Sequence, residues 1–148
     1  MAGDPKLLDT IWVGAGLMAT VSGESIIRLF NIEADENYHL SVNESAFQGQ
    51  LFNDKINTIS FNPKKRILSA GTKNGFIIMW KCKVMSAQSP TDDSGWQALP
   101  PVKASQQAIT NLAWGGSNSI LSAVQAGGVM ILNHQLLKKK MKDNFKMI

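Results

Sequence analysis

Three small residues near the start of the chain carry its clearest sign of chemistry. Gly14, Gly16 and Ala19 fit the pattern G-x-G-x-x-A, which binds dinucleotides where a strand passes into a helix. Glu33 and Asp35 follow at roughly the distance of about 20 residues at which such sites place a ribose-binding acid. The corresponding function would be that of a small nucleotide-binding enzyme.

The residues after these glycines favour strands over the helix that a dinucleotide site needs. That helix must begin at the glycines so that its N-terminus points at the pyrophosphate. Here a Ser22-Gly23 turn arrives seven residues after Gly16, and another β-branched run follows it. We therefore interpret the glycines as a corner between two strands, and the dinucleotide-binding enzyme stays as the alternative.

The other reactive side chains form no recognisable catalytic or metal set. Cys82 is the single cysteine, so no internal disulfide can form, which fits a reducing compartment. His39 and His134 are too few for a metal cluster. No Ser/His/Asp set, paired acids or phosphate loop stands out, and we predict no enzyme and no cofactor.

The excess positive charge lies at the end of the chain. Residues 138–148 hold five lysines and one aspartate, which leaves ten basic and ten acidic residues elsewhere. We therefore predict no nucleic-acid partner outside this basic C-terminal tail. The tail would form a short amphipathic helix that meets an anionic or membrane surface, a strand that leads into a further blade, or a solubilising edge.

A hairpin in residues 66–82 organises the rest of the chain. Asn74-Gly75 between two apolar runs is a strong hairpin signal, because both residues tolerate a positive φ. Residues 16–30 and 119–133 repeat the pattern, so that Phe30, Trp80 and Asn133 align at steps of 50 and 53 residues.

The repeat predicts an all-β fold of about three WD40-like blades in an incomplete β-propeller. A preceding strand at 56–61 recurs at 109–114, and a period of about 40–50 residues with several strands is typical of propellers. The blades would span about 1–45, 46–102 and 103–137. The large residues that end the third strands, Phe30 and Trp80, would fill the gaps between sheets.

Three blades cannot close a ring, because propellers have about four to eight. We expect a piece of a longer protein whose remaining blades complete the ring. The polar residues 83–95 lengthen the second repeat, and we interpret them as a plain spacer rather than a binding or modification site. The apolar run 11–21 is too short to span a bilayer, so we expect no transmembrane segment and a cytoplasmic location.

Four segments carry a closer resemblance. Residues 28–38 (RLFNIEADENY), 69–80 (SAGTKNGFIIMW), 96–99 (WQAL) and 109–115 (ITNLAWG) resemble blade cores of the WD40-repeat subunits of intraflagellar transport complex A. The match runs from about residue 16 to 132 and would cover the last blades of one propeller. Asn31 stands where those proteins' Trp-Asp pair has its aspartate.

The resemblance implies a non-enzymatic scaffold for protein–protein interaction. Such a scaffold supports retrograde ciliary transport, ciliary cargo import and cilium assembly. Its expected partners are other complex A subunits and tubby-like cargo adaptors, and its expected places are the cytoplasm, the axoneme and the ciliary base. A WD40-like adaptor of another cytosolic assembly is the alternative, and no binding residue is identified.

Overall fold

The computed structural model describes residues 9–84, 89–115, 120–125, 128–133 and 145–147. Within these residues thirteen strands form three antiparallel sheets, which confirms the all-β prediction. The strands are β1 (Asp9–Trp12), β2 (Leu17–Val21), β3 (Ile26–Asn31), β4 (Glu36–Ser41), β5 (Ile56–Asn62), β6 (Ile67–Thr72), β7 (Phe76–Cys82), β8 (Trp96–Ala98), β9 (Val102–Lys103), β10 (Ile109–Trp114), β11 (Ile120–Gln125), β12 (Gly128–Asn133) and β13 (Phe145–Met147).

Each sheet runs through its strands in sequence order. The first sheet is β1-β2-β3-β4 and the third is β10-β11-β12-β13. In the second sheet β5, β6 and β7 are followed by β8 and β9, which both pair with β7. Pro100 and Pro101 separate β8 from β9. Because proline has no backbone N–H to donate, the outer strand stops there and then resumes.

The first strand of each sheet lies on the inside of the stack. β5 contacts β1 on one side and β10 on the other. Short antiparallel sheets whose first strands meet in this way are the blades of a propeller. The three sheets do not close into a ring, and the architecture is the incomplete propeller that the repeat predicted.

The middle sheet is covered on both faces. Successive side chains of a strand point to opposite faces, and on β7 Ile78 and Trp80 pack against the first sheet whereas Ile77 and Met79 pack against the third. Trp80 is fully buried, and its ring meets that of Phe47 edge-on with centroids 5.8 Å apart. Trp80 therefore fills a gap between sheets, as its position in the repeat predicted.

The central hairpin turns with one left-handed residue rather than two. Gly75 has φ +89°, whereas Asn74 is not among the residues with positive φ. The Gly75 N–H donates to the Thr72 carbonyl oxygen at 3.2 Å. This is the geometry of a three-residue connection, in which a turn is followed by a left-handed glycine. The predicted turn is present, and only Gly75 of the two residues uses its tolerance of a positive φ.

Two details of the aligned repeat also need correction. Met18 pairs with Phe30 and Leu68 with Trp80, but Leu121 pairs with Leu132, so Leu132 rather than Asn133 is the equivalent position. The third hairpin is one residue shorter than the sequence alignment assumed. Phe30 is 37% exposed, because none of the three described sheets covers its face of the first sheet.

The last described residues form a strand within the segment that was expected to be a basic tail. Phe145–Met147 pairs antiparallel with β12 and is the fourth strand of the third sheet. Part of the expected tail at 138–148 therefore belongs to a sheet. The rest of it, together with residues 1–8 and His134, lies outside the described residues.

Candidate functional site

The Gly14–Gly16 corner joins two strands. Gly14 and Gly16 both have positive φ, and the Val13 N–H donates to the Leu17 carbonyl oxygen at 2.8 Å across the turn. Ala19 is fully buried in the middle of β2. A phosphate site needs a helix N-terminus at this point, and strand β2 occupies its place. The geometry therefore does not support the dinucleotide-binding alternative through Gly14, Gly16 and Ala19.

The same corner receives the segment inserted in the second repeat. The Ser89 hydroxyl donates to the Ala15 carbonyl oxygen at 2.7 Å. A Cβ atom on Gly14 would lie 2.8 Å from the Ser89 Oγ, closer than real Cβ contacts come. Glycine at position 14 thus lets the inserted segment approach the first sheet.

Two side chains of the first sheet hold the segment at Pro90. The Asn31 amide nitrogen donates to the carbonyl oxygens of Pro90 at 3.3 Å and Ser89 at 3.4 Å. The Tyr38 hydroxyl donates to the Pro90 oxygen at 3.1 Å and accepts from the Trp96 indole N–H at 2.9 Å. Residues 89–95 are therefore docked on the first sheet, and the interpretation of this part as a plain spacer does not describe them.

Asn31 is suited to this place in a way that aspartate is not. Its side chain is buried, and its Oδ1 accepts from the Ala34 N–H at 3.0 Å. An ionised aspartate could accept that bond, but it has no N–H to donate to the two carbonyls. The docked segment gives a physical reason for asparagine where related repeats have the aspartate of a Trp-Asp pair.

The surroundings of Tyr38 change the pKa of its phenol. Burial raises the pKa of Tyr38 to about 12, and the hydrogen bond from Trp96 opposes that rise. Folding therefore favours the protonated phenol, which is the form that can donate to Pro90.

Three of the four large hydrophobic residues that are exposed among the described residues lie on or beside one face of the first sheet: Trp12, Phe30 and Ile32. Trp12, Met18 and Phe30 form one row across β1, β2 and β3. Trp12 is 60% exposed, and Ile32, just past the end of β3, is 59% exposed. Exposed apolar faces of this kind mark protein–protein contacts. We call the surface formed by Trp12, Met18, Phe30 and Ile32 the outer apolar face.

Polar and charged groups border the outer apolar face. Arg28 pairs with Glu24 at 3.3 Å on the same side of β3. A shallow cavity of about 380 Å³ lies beside it, and its lining includes Arg28, Phe30, Asn37, His39 and Asp93. An apolar centre with a polar rim is the composition of a protein interface. The sequence alone did not identify this face, because it does not show which faces of a sheet remain uncovered.

The described residues offer little for other chemistries. They contain no group of three or more His, Cys, Asp or Glu side chains that could hold a metal ion. Cys82 is buried, with its Sγ 3.9 Å from the Val84 carbonyl oxygen. In this part of the chain no helix has the length and apolarity to cross a membrane.

Comparison with known proteins adds a family and a fold. The sequence model described as "IFT140 first beta-propeller" matches residues 1–135. A chain in the "Crystal Structure of Mitotic Checkpoint Complex" superposes with a TM-score of 0.63 over 91% of this chain, at 14% identity. The "computationally designed Ika8 protein" superposes with a TM-score of 0.61 over 87% of it, also at 14% identity.

The two structural matches bear on architecture alone because their identities are low. Both superpose on most of the three-sheet stack, with TM-scores above 0.6. The chain spans 35% of the first matched chain and 33% of the second. It therefore corresponds to about a third of each.

Proposed function

The chain belongs to the IFT140 first beta-propeller family, and from this we propose that it is a non-enzymatic scaffold for protein–protein interaction in intraflagellar transport complex A. The family match over residues 1–135 is the observation that carries the proposal. The propeller fold agrees with it, since family and fold are of a scaffold type that is generally non-enzymatic.

In this role the chain supports retrograde ciliary transport, ciliary cargo import and cilium assembly. Its partners are the other subunits of complex A and tubby-like cargo adaptors. It acts in the cytoplasm, at the ciliary base and along the axoneme. Retrograde transport needs no reaction at this chain, only surfaces that hold other proteins in place.

The outer apolar face fits the structural part of this proposal. Each sheet is assigned to one blade, and further blades of the same propeller cover the faces left open by these three. Trp12 and Phe30 would then lie between two blades, as Trp80 does between the first and second sheets. The basic residues 138–146 keep no assigned role.

Ciliated cells that lack the full-length gene product test the transport role. We expect transport material to accumulate at ciliary tips, and we expect the wild-type gene to restore its return. A Trp80→Ala gene should restore it poorly, because the propeller it encodes is destabilised, whereas Phe52→Ala changes an exposed loop residue and should restore it fully. A normal amount of transport material at the ciliary tips of cells without the gene product would contradict the proposal.

A further inference from the structure

One motif of the inserted segment is not used by the scaffold role. Ser89 is followed by Pro90, and the Ser89 side chain is only partly buried. Proline at this position has no backbone N–H. Some kinase pockets offer no hydrogen-bond acceptor to the backbone N–H of the residue that follows the serine. Such a pocket selects serines that precede proline, because proline has no N–H to leave unpaired. Ser89-Pro90 is such a sequence within the described residues, and its hydroxyl lies at the surface of the fold.

A cavity with a cationic group lies beside the Ser89 hydroxyl. Its volume is about 250 Å³, and its lining includes Gly14, Ala15, Pro63, Arg66 and Ser89. Arg66 is anchored next to the inserted segment, since its Nη1 donates to the Val84 carbonyl oxygen at 2.5 Å. Lys64 and Lys65 precede Arg66 in the same turn. Glu33 is an acidic residue near the same corner, since its Cγ would lie 3.0 Å from a Cβ atom on Gly16.

We propose that Ser89 is a phosphorylation site for a proline-directed protein kinase, and that the phosphate turns into this cavity toward the Arg66 guanidinium. The proposal does not depend on the scaffold role. Guanidinium groups bind phosphate oxygens through paired N–H donors. The cavity provides the volume and Arg66 the charge that a phosphoserine needs.

The transfer uses a nucleoside triphosphate bound by the kinase. The Ser89 Oγ attacks the γ-phosphorus, and a new Oγ–P bond forms as the bond to the leaving diphosphate breaks. The hydroxyl proton passes to the kinase's catalytic base, and the products are phosphoserine and a nucleoside diphosphate.

Phosphorylation exchanges one attachment of the segment for another. The phosphorylated Oγ has no proton to give, so its bond to the Ala15 carbonyl is lost. The added charge of about −1.5 to −2 at neutral pH repels that carbonyl oxygen and is attracted by Arg66. Because Asn31 and Tyr38 hold Pro90 independently of the hydroxyl, the segment stays on the first sheet while its Ser89 end moves.

The first experiment locates the modification. The full chain is incubated with ATP and a purified proline-directed kinase, and its peptides are analysed by mass spectrometry. We expect one phosphoryl group on Ser89, lost in Ser89→Ala and kept in Ser94→Ala, whose serine precedes Gly95. Absence of phosphate on Ser89, or equal labelling of the Ser89→Ala chain, would overturn the proposal.

The second experiment tests the contact with Arg66 by a ³¹P NMR titration of the phosphorylated chain. The second pKa of a phosphoserine is about 6. We expect a lower value in the native chain than in the same chain in urea, because Arg66 lines the same cavity as Ser89 and favours the dianion. This comparison needs no variant. The same value in both states would overturn the role of Arg66.

Variants at the two arginines of the chain separate this contact from general charge effects. Arg66→Gln should bring the phosphoserine pKa back to its value in urea. Arg28→Gln removes the other arginine, which pairs with Glu24 on the first sheet, and should leave the pKa unchanged. An equal change in both variants would contradict a specific contact.

Discussion

At the scale of single residues, two of the four tryptophans, Trp80 and Trp12, show how position in the stack decides what a side chain contributes. Trp80 is fully buried between two sheets, and Trp12 is 60% exposed. Trp80→Ala should lower the free energy of unfolding by about 3–5 kcal/mol, because it leaves a cavity beside Phe47. Trp12→Ala should change it by no more than about 0.5 kcal/mol. Urea denaturation measures both, and equal costs would contradict the burial assignment.

The raised pKa of Tyr38 predicts a pH dependence of tyrosine ionisation that can be measured without labels. Because it is the only tyrosine, the ultraviolet absorbance of tyrosinate reports this group alone. We expect a midpoint near pH 12 in the native chain, and near about 10 in urea. The stability contributed by this group is full below about pH 10 and is lost as the pH rises through the folded pKa. A native midpoint near 10 would mean that Tyr38 is solvated.

At the scale of elements, the turn of the central hairpin depends on a close approach. A Cβ atom on Gly75 would lie 1.9 Å from the Ser105 carbonyl oxygen, whereas one on Gly49 would meet nothing within 4 Å. Both glycines have positive φ. Gly49→Ala should therefore cost about 1 kcal/mol of backbone strain. Gly75→Ala should cost a further ~1–3 kcal/mol, because the backbone at Ser105 must move.

Urea denaturation of these two glycine variants makes the comparison. The difference between their free energies of unfolding reports the contact with Ser105 rather than the backbone strain that they share. Equal losses of stability would show that position 75 requires glycine only for its φ.

The sequence was sufficient for the elements whose signals are local. Alternating apolar residues and the Asn74-Gly75 turn predicted β6 and β7, and the recurrence of the hairpin predicted three sheets. The pairing of Leu121 with Leu132 was missed, because a hairpin one residue shorter keeps nearly the same pattern. The docking of Ser89 and Pro90 was missed because its hydrogen bonds join residues more than 50 positions apart.

The exposed side of the first sheet could be predicted only in part. Phe30 and Trp80 occupy equivalent positions in the repeat, so the sequence gives no reason to treat them differently. What separates them is whether a second sheet lies on that face, which depends on chain topology. Binding residues remained unidentified for the same reason, since an uncovered face is a property of the assembled sheets.

At the scale of the whole molecule, the outer apolar face predicts self-association of the isolated chain. Burying apolar area is favourable by about 25 cal/mol per Å², and this face has no covering sheet among the described residues. Light scattering should give a mass above that of a monomer. Trp12→Ser combined with Phe30→Ser should shift it toward the monomer, whereas Phe52→Ser, on a loop, should not.

A sharp monomer peak with cooperative melting of the wild-type chain would contradict this prediction. If Phe52→Ser lowered the mass as much as the Trp12→Ser and Phe30→Ser double variant, the association would be unspecific. Either result would remove the outer apolar face as the cause of association and leave the three-sheet architecture unchanged.

The central claim is that this propeller belongs to a scaffold of intraflagellar transport complex A. It is tested most directly by affinity purification of the full-length gene product from ciliated cells, followed by mass spectrometry of the proteins that accompany it. We predict recovery of the other complex A subunits, and loss of them when the tag is on an unrelated propeller. A clean preparation that lacks those subunits and contains another assembly would contradict the claim and assign the scaffold to that assembly.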